Sequence, residues 1–191
     1  METELQLLDD IKGGKRGATR SLYDRFAAMA MATALRIVPD QDQACDVVQD
    51  SFVKILTSVD RFDYRGEGSL KAWVMTIVTH QAIDYVRKHE RILLKEMLTE
   101  EIADEPRQTP ADYQTEEPDV GRVPPDVLNR LIGQLPTGYR MVLNLYVFEQ
   151  LTHKEIAHLL GIRPESSASQ YSRAKQLLAK HINNYLKNRK Q

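Results

Sequence analysis

The chain has 191 residues, 42% of them hydrophobic, with 9 Gly, 8 Pro, one Cys and a formal net charge of −1. A lone Cys45 excludes an internal disulfide framework and a Cys-rich zinc site, and no apolar run approaches the roughly 18–20 residues that span a bilayer, so no membrane insertion is expected. The acidic start METELQLLDD lacks the basic-then-apolar order of a secretory signal, which leads us to expect a cytoplasmic protein.

Taken along the chain, no β-branched run alternates cleanly, whereas helical periodicity recurs. Thr3–Ile11 reads as a short helix with Leu5, Leu8 and Ile11 on one side. Ala18–Val38 is longer, its stripe formed by Leu22, Phe26, Met29 and Ala30, and Pro39 ends it. Asp40 or Asp42 caps a third helix, Gln43–Val59, with Val48, Phe52, Ile55 and Val59 at helical spacing. Asp42, Asp46 and Asp50 fall four apart and share one face, which on charge alone reads as solvated.

Arg61–Gly68 reads as a loop. Its glycines allow bends, and Phe62, Tyr64 and Arg65 offer the stacking and charge that unpaired bases require. The plainer alternative is a turn anchored by Phe62. Ser69 caps a helix to about Arg91, with Leu70, Trp73, Val74, Ile77 and Val78 inward. Lys71, Thr76, Thr79, His80, Asp84, Arg87 and Lys88 face outward; the basic groups suit phosphates and the short polar ones base edges. Trp73 reads as core, and Tyr85 as either core or a stacking surface.

Residues 93–125 carry 3 Lys+Arg against 9 Asp+Glu, while residues 1–92 carry 13 against 14 and residues 126–191 carry 10 against 4. The acidic middle reads as a flexible linker, with a residual helical turn near Leu93–Glu101. It would repel nucleic acid or occupy a basic channel in a partner. The basic last third has the electrostatic footprint of a phosphate-binding module.

Asp126–Gln134 and Gly138–Phe148 are two helices separated by Leu135-Pro136-Thr137, with Thr137 as cap. Leu151–Lys175 then has helix-turn-helix character. Thr152 and Glu155 form a capping box, Ile156, Ala157 and Leu160 an apolar stripe, and Gly161 a stop. Ile162 plugs the corner and Pro164 opens the second helix. That helix runs to about Leu186, with Tyr171, Ala174, Leu178 and Ile182 buried. Its outward set is Glu165, Ser166, Ala168, Ser169, Gln170, Ser172, Arg173 and Gln176. Gln pairs with adenine and Arg with guanine or phosphate, Ser166 and Ser169 suit phosphate or base contacts near the helix start, and Lys175 and Lys180 add non-specific attraction.

Enzyme signatures are missing. His153 and His158 stand five apart, on different helix faces, unlike the zinc-binding HExxH. Gly13-Gly14-Lys15-Arg16-Gly17 lacks the spacing of a phosphate loop. No catalytic residue, metal ligand, cofactor or small-molecule substrate is expected.

Four stretches in order resemble bacterial sigma factors of the extracytoplasmic-function (ECF) group, a compact branch of the sigma-70 family. Asp42 through Ile55 is similar to the helix that docks on RNA polymerase, and Phe62 through Val74 to the promoter-melting segment. Ile77 through Lys88 is similar to the helix that reads the minus-ten element, and Leu135 through Lys175 to the domain that reads the minus-thirty-five element. The resemblance covers nearly the whole chain.

It implies an all-α fold of two helical bundles on a flexible acidic linker. Residues 1–92 would form a region 2-like domain for polymerase binding, minus-ten recognition and melting, 93–125 the linker, and 126–191 a region 4-like helix-turn-helix domain. It implies core RNA polymerase as partner, through the largest-subunit clamp helices and the beta flap, with Asp42, Asp46, Gln49, Asp50 and Lys54 at the clamp. Promoter DNA would meet Phe62, Tyr64, Arg65, Lys71, Thr76, Thr79, His80, Arg87 and Lys88 downstream, and Arg163, Ser166, Ala168, Ser169, Gln170, Arg173 and Lys175 upstream. An anti-sigma factor would mask both kinds of surface. Three departures bear on promoter choice: His80 stands where the family commonly has Asn, Ala168 where a basic residue is frequent, and Arg163-Pro164 at a helix start usually held by Ser. A conventional helix-turn-helix regulator, or a decoy that binds polymerase or an anti-sigma factor without promoter activity, remain the alternatives.

Overall fold

The computed structural model describes residues 2–89 and 118–189, in two compact units, Met1–Val86 and Arg87–Gln191. Every regular element among the described residues is helical. The expected helical turn near Leu93–Glu101, and the linker up to residue 117, lie outside them.

In the first unit α1 (Glu4–Lys12) is capped by Thr3, whose hydroxyl accepts from the Gln6 backbone N–H while the Gln6 side chain accepts from that of Thr3. The expected Leu5–Leu8–Ile11 stripe needs correction. Leu7 and Leu8 are buried and Leu5 is exposed, because the helix turns its Glu4 carboxylate inward. α2 (Ala18–Ile37) buries Leu22, Phe26, Ala30, Ala34 and Ile37, with Met29 half-buried. Asp40, not Asp42, caps α3 (Gln41–Ser58), accepting from the Gln43 N–H at 3.0 Å. α3 packs on α2 and buries Ala44, Val47, Val48, Phe52 and Ile55. A 3-10 turn, Val59–Arg61, leads to the loop before α4 (Ser69–His89), which buries Leu70, Val74, Ile77, Val78, Ala82, Ile83 and Val86. Each such side chain removed from water contributes roughly 1.5–3 kcal/mol for Leu, Ile, Val or Phe.

In the second unit Val123, inside the stretch read as linker, is buried against Val127, Leu131 and Ile182, so the helical domain begins before residue 126. Pro125 opens α5 (Pro125–Gly133), where its missing N–H costs no hydrogen bond. Pro136 holds the cap position of α6 (Thr137–Val147), which makes Thr137 the first helical residue rather than the cap. Buried Arg140 ties this corner: its Nη1 donates to the Gly133 and Leu135 carbonyls at 3.1 and 3.0 Å, at the C-terminal end of α5. α7 (His153–Leu160) has the expected capping box, with the Thr152 N–H 2.8 Å from Glu155 Oε2 and the Glu155 N–H 3.3 Å from Thr152 Oγ1. Gly161 ends it at φ 71°, a conformation that costs a residue with a Cβ. α8 (Pro164–Asn188) packs on α5, α6 and α7, and Ile132, Leu135, Leu143 and Ala174 close the second half of the core.

Candidate nucleic-acid and polymerase interface

On α3 the core residues occupy one side and leave Asp42, Asp46, Gln49, Asp50 and Lys54 exposed on the other. Val53 sits among them, 62% exposed. It lies three and four positions from Asp50 and Gln49, so an apolar group stands in the acidic face. The reading of that face by charge overlooked it, although its helical phase places it there. Beneath the helix Phe52 meets Tyr23, ring centroids 4.8 Å apart.

The loop after α3 is held at both ends. Phe62 stacks on Trp73 at 4.7 Å and 30°, both rings half-buried, and its carbonyl accepts from Lys12 Nζ at 3.1 Å. Phe62 therefore anchors the loop, and Trp73 serves it as a platform rather than lying wholly in the core. Gly68, at φ 91°, turns the chain into α4. Ser69 Oγ accepts from the Arg65 N–H at 3.2 Å and donates to the Gly66 carbonyl at 2.6 Å. Between these fixed points Arg65 is exposed, its Nε 3.5 Å from Asp63 Oδ2. The Tyr64 hydroxyl donates to Glu67 Oε2 at 3.3 Å; partial burial and that carboxylate hold its pKa above the ordinary tyrosine range.

Along α4, Lys71, Thr76, His80, Arg87 and Lys88 are exposed, as expected. Thr79 is not: it is 3% exposed and turned into the bundle. The buried side of α4 includes Val78, Ala82, Ile83 and Val86, a stripe broad enough to take in Thr79. A DNA contact for Thr79 is withdrawn.

The helix-turn-helix is pinned by aromatic rings. Tyr146, at the end of α6, stacks on His153 at 4.6 Å and 17° and meets Tyr171 at 4.4 Å. His153 Nδ1 lies 2.9 Å from Ser167 Oγ. Lys175 Nζ lies over the Tyr171 ring at 4.8 Å, and burial raises the pKa of that phenol. On α8, Ser166, Ser167, Gln170 and Ala174 are buried on one side. Ala168, Ser169, Ser172, Arg173 and Lys175 are exposed on the others, as is Arg163 at the cap position. Ser166 and Gln170 were expected outward and belong to the packed face, because α6 and α7 both cover that side of α8. The exposed row is thus Ala168, Ser169, Ser172 and Arg173. Tyr146, Val147 and Phe148 are also exposed, an apolar group that residue-by-residue reading did not single out.

Among the described residues no group of side chains could hold a metal ion, and no helix is long and apolar enough to cross a membrane.

Residues 22–92 match the family described as Sigma-70 region 2, and residues 126–178 match Sigma-70, region 4. The chain is 28% identical over 158 residues to the ECF RNA polymerase sigma factor SigM of Bacillus subtilis, covering 82% of this chain and 90% of that one. It is 28% identical over 145 residues to the RNA polymerase sigma factor SigV of the same organism, covering 76% and 79%. Among solved structures it is similar to the sigma factor RpoE of Bartonella quintana, crystallised with the anti-sigma factor NepR, at 20% identity and a TM-score of 0.49, covering 86% and 96%.

Proposed function

The chain belongs to the ECF sigma factors of the sigma-70 family, which direct transcription initiation by RNA polymerase and are not enzymes; from that premise we propose how its surfaces divide the work. The acidic face of α3, with Val53 at its middle, docks on core polymerase at the clamp helices of the largest subunit. Residues 62–71 and the exposed side of α4 capture the opened minus-ten strand. The Ala168–Arg173 row of α8 reads the minus-thirty-five element, and the exposed Tyr146–Phe148 group meets the beta flap.

The observation that carries this reading is the separation of chemistries within one bundle. α3 presents carboxylates and an exposed valine, useless against phosphate and suited to a protein. α4 presents Lys71, Thr76, His80, Arg87 and Lys88, suited to DNA. Opening then needs no cofactor: bases held in the unstacked state shift the duplex toward the open form by binding energy alone. An anti-sigma factor would act by covering Val53 or the Tyr146–Phe148 group, since both are apolar and exposed.

In vitro transcription with core polymerase on a genomic fragment library, with starts sequenced, tests the assignment. Starts that share two spaced upstream motifs are expected. Binding to polymerase with no new starts would mark a decoy. Specific binding to bare duplex without polymerase would mark a conventional regulator.

A further inference from the structure

Glu4 is a carboxylate 3% exposed, and such groups are almost never fully buried without partners. Its partners are backbone groups far along the chain. Oε2 accepts from the N–H groups of Gly68 (2.8 Å) and Leu70 (3.0 Å), and Oε1 from that of Lys71 (3.1 Å). These donors at the start of α4 have no carbonyl within the helix to meet, and the first turn of α4 carries no acidic residue of its own. Glu4 supplies both the acceptor and the charge. In return its own N–H donates to Glu67 Oε2 at 3.3 Å. The exchange has the reciprocal form of a capping box, closed across 63 to 67 positions instead of three.

The clasp is braced. Arg25 Nη2 lies 3.3 Å from Glu67 Oε1, and Arg25 Nη1 donates to the Glu2 carbonyl at 2.9 Å. The Tyr64 hydroxyl shares Glu67. At the other end of the loop Lys12 holds the Phe62 carbonyl. α1 therefore grips the segment 62–71 at both ends, through Lys12 and Glu4, and leaves Arg65 exposed between them. Glu4 and Lys12 both precede the stretch matched to Sigma-70 region 2.

We propose that Glu4 is a positioning residue for promoter opening, holding the loop before α4 in the pose that receives unpaired bases. The inference rests on the reading of residues 62–71 as the melting segment. A loop ordered in advance loses less entropy when it captures a strand. The cost of releasing it falls on the opening step, not on polymerase docking, which belongs to α3.

The test reconstitutes core polymerase with the full-length chain, Glu4→Gln and Arg65→Ala. Initiation is compared on a duplex promoter and on the same promoter carrying a pre-opened bubble, with core affinity measured alongside. Glu4→Gln keeps the shape but sets an amide NH2 against N–H donors. It is expected to slow initiation on the duplex about tenfold, the scale of one charge-assisted hydrogen bond. On the bubble it should stay within about twofold of wild type, with core affinity unchanged. No loss, or an equal loss on both templates, overturns the proposal. If Glu4→Gln fails to fold, Glu67→Ala decides by the same comparison, because its side chain is 60% exposed and its removal takes away the acceptor that the Glu4 N–H, Arg25 and Tyr64 share; a duplex-selective loss supports the proposal and its absence overturns it. If Arg65→Ala shows a duplex-selective loss and Glu4→Gln does not, only this proposal fails. If neither does, the melting assignment fails and the proposal with it.

Discussion

His153 and Ser167 join the two helices of the turn motif: Nδ1 of the first lies 2.9 Å from Oγ of the second, linking the first turn of α7 to the first turn of α8. The contact fixes which side of α8 is spent on packing. Ser166, Gln170 and Ala174 go with Ser167 into the bundle, and Arg173 is left to face outward.

Two substitutions three residues apart should therefore behave differently. Arg173→Ala is expected to change stability by less than about 0.5 kcal/mol and to cost about 1–3 kcal/mol of discrimination at one upstream promoter position. Gln170→Ala should destabilise the domain by about 1 kcal/mol and leave sequence preference unchanged. Thermal melts with selection from randomised promoters check both.

Val53 tests the polymerase face. Val53→Arg sets a long cation in the middle of the proposed contact, at an exposed position of α3. It should weaken binding to core polymerase by about tenfold or more, while the melting temperature of the free protein stays put. Titration of labelled protein against core polymerase measures the first and calorimetry the second.

Arg140 tests the corner between α5 and α6. Arg140→Met keeps the apolar stem but orphans the carbonyls of Gly133 and Leu135. The expected loss is about 2–3 kcal/mol, read from the denaturant midpoint, with no change in which promoters are used.

Glu155 gives the helix-turn-helix a pH dependence. Hydrogen bonds from the Thr152 hydroxyl and N–H lower its pKa from the ordinary 4.5, outweighing the opposing effect of burial. A carboxyl depressed in the folded state contributes stability that is present above its unfolded pKa and lost as pH falls through the folded value. The stability gap between wild type and Glu155→Gln should thus be full above pH 4.5 and shrink in more acid solution. Melting curves from neutral to strongly acid pH decide; a gap that does not narrow contradicts the cap.

Elements with local causes were legible in the sequence. The capping box at Thr152, the stop at Gly161 and the opening Pro164 each act within a few residues, and each stands as read. What was missed depends on distant partners. Nothing near Glu4 in sequence announces the start of α4, whose N–H groups it meets. Thr79, Ser166 and Gln170 are polar and sit beside exposed neighbours, so composition sends them outward. Their burial follows from how wide a face the neighbouring helices cover. Val53 is the reverse case, an apolar residue that periodicity puts on the outside and composition puts within.

Promoter reading and promoter opening are assigned to separate surfaces of the chain. Footprinting of one promoter with core polymerase and three proteins, wild type, Arg173→Ala and Arg65→Ala, separates the two, with protection and thymine reactivity to permanganate recorded together. Arg173→Ala should lose upstream protection, and Arg65→Ala should keep it while losing the reactive bases of the open strand. If Arg65→Ala instead loses upstream protection as Arg173→Ala does, or opens the promoter as wild type does, the division of surfaces is contradicted.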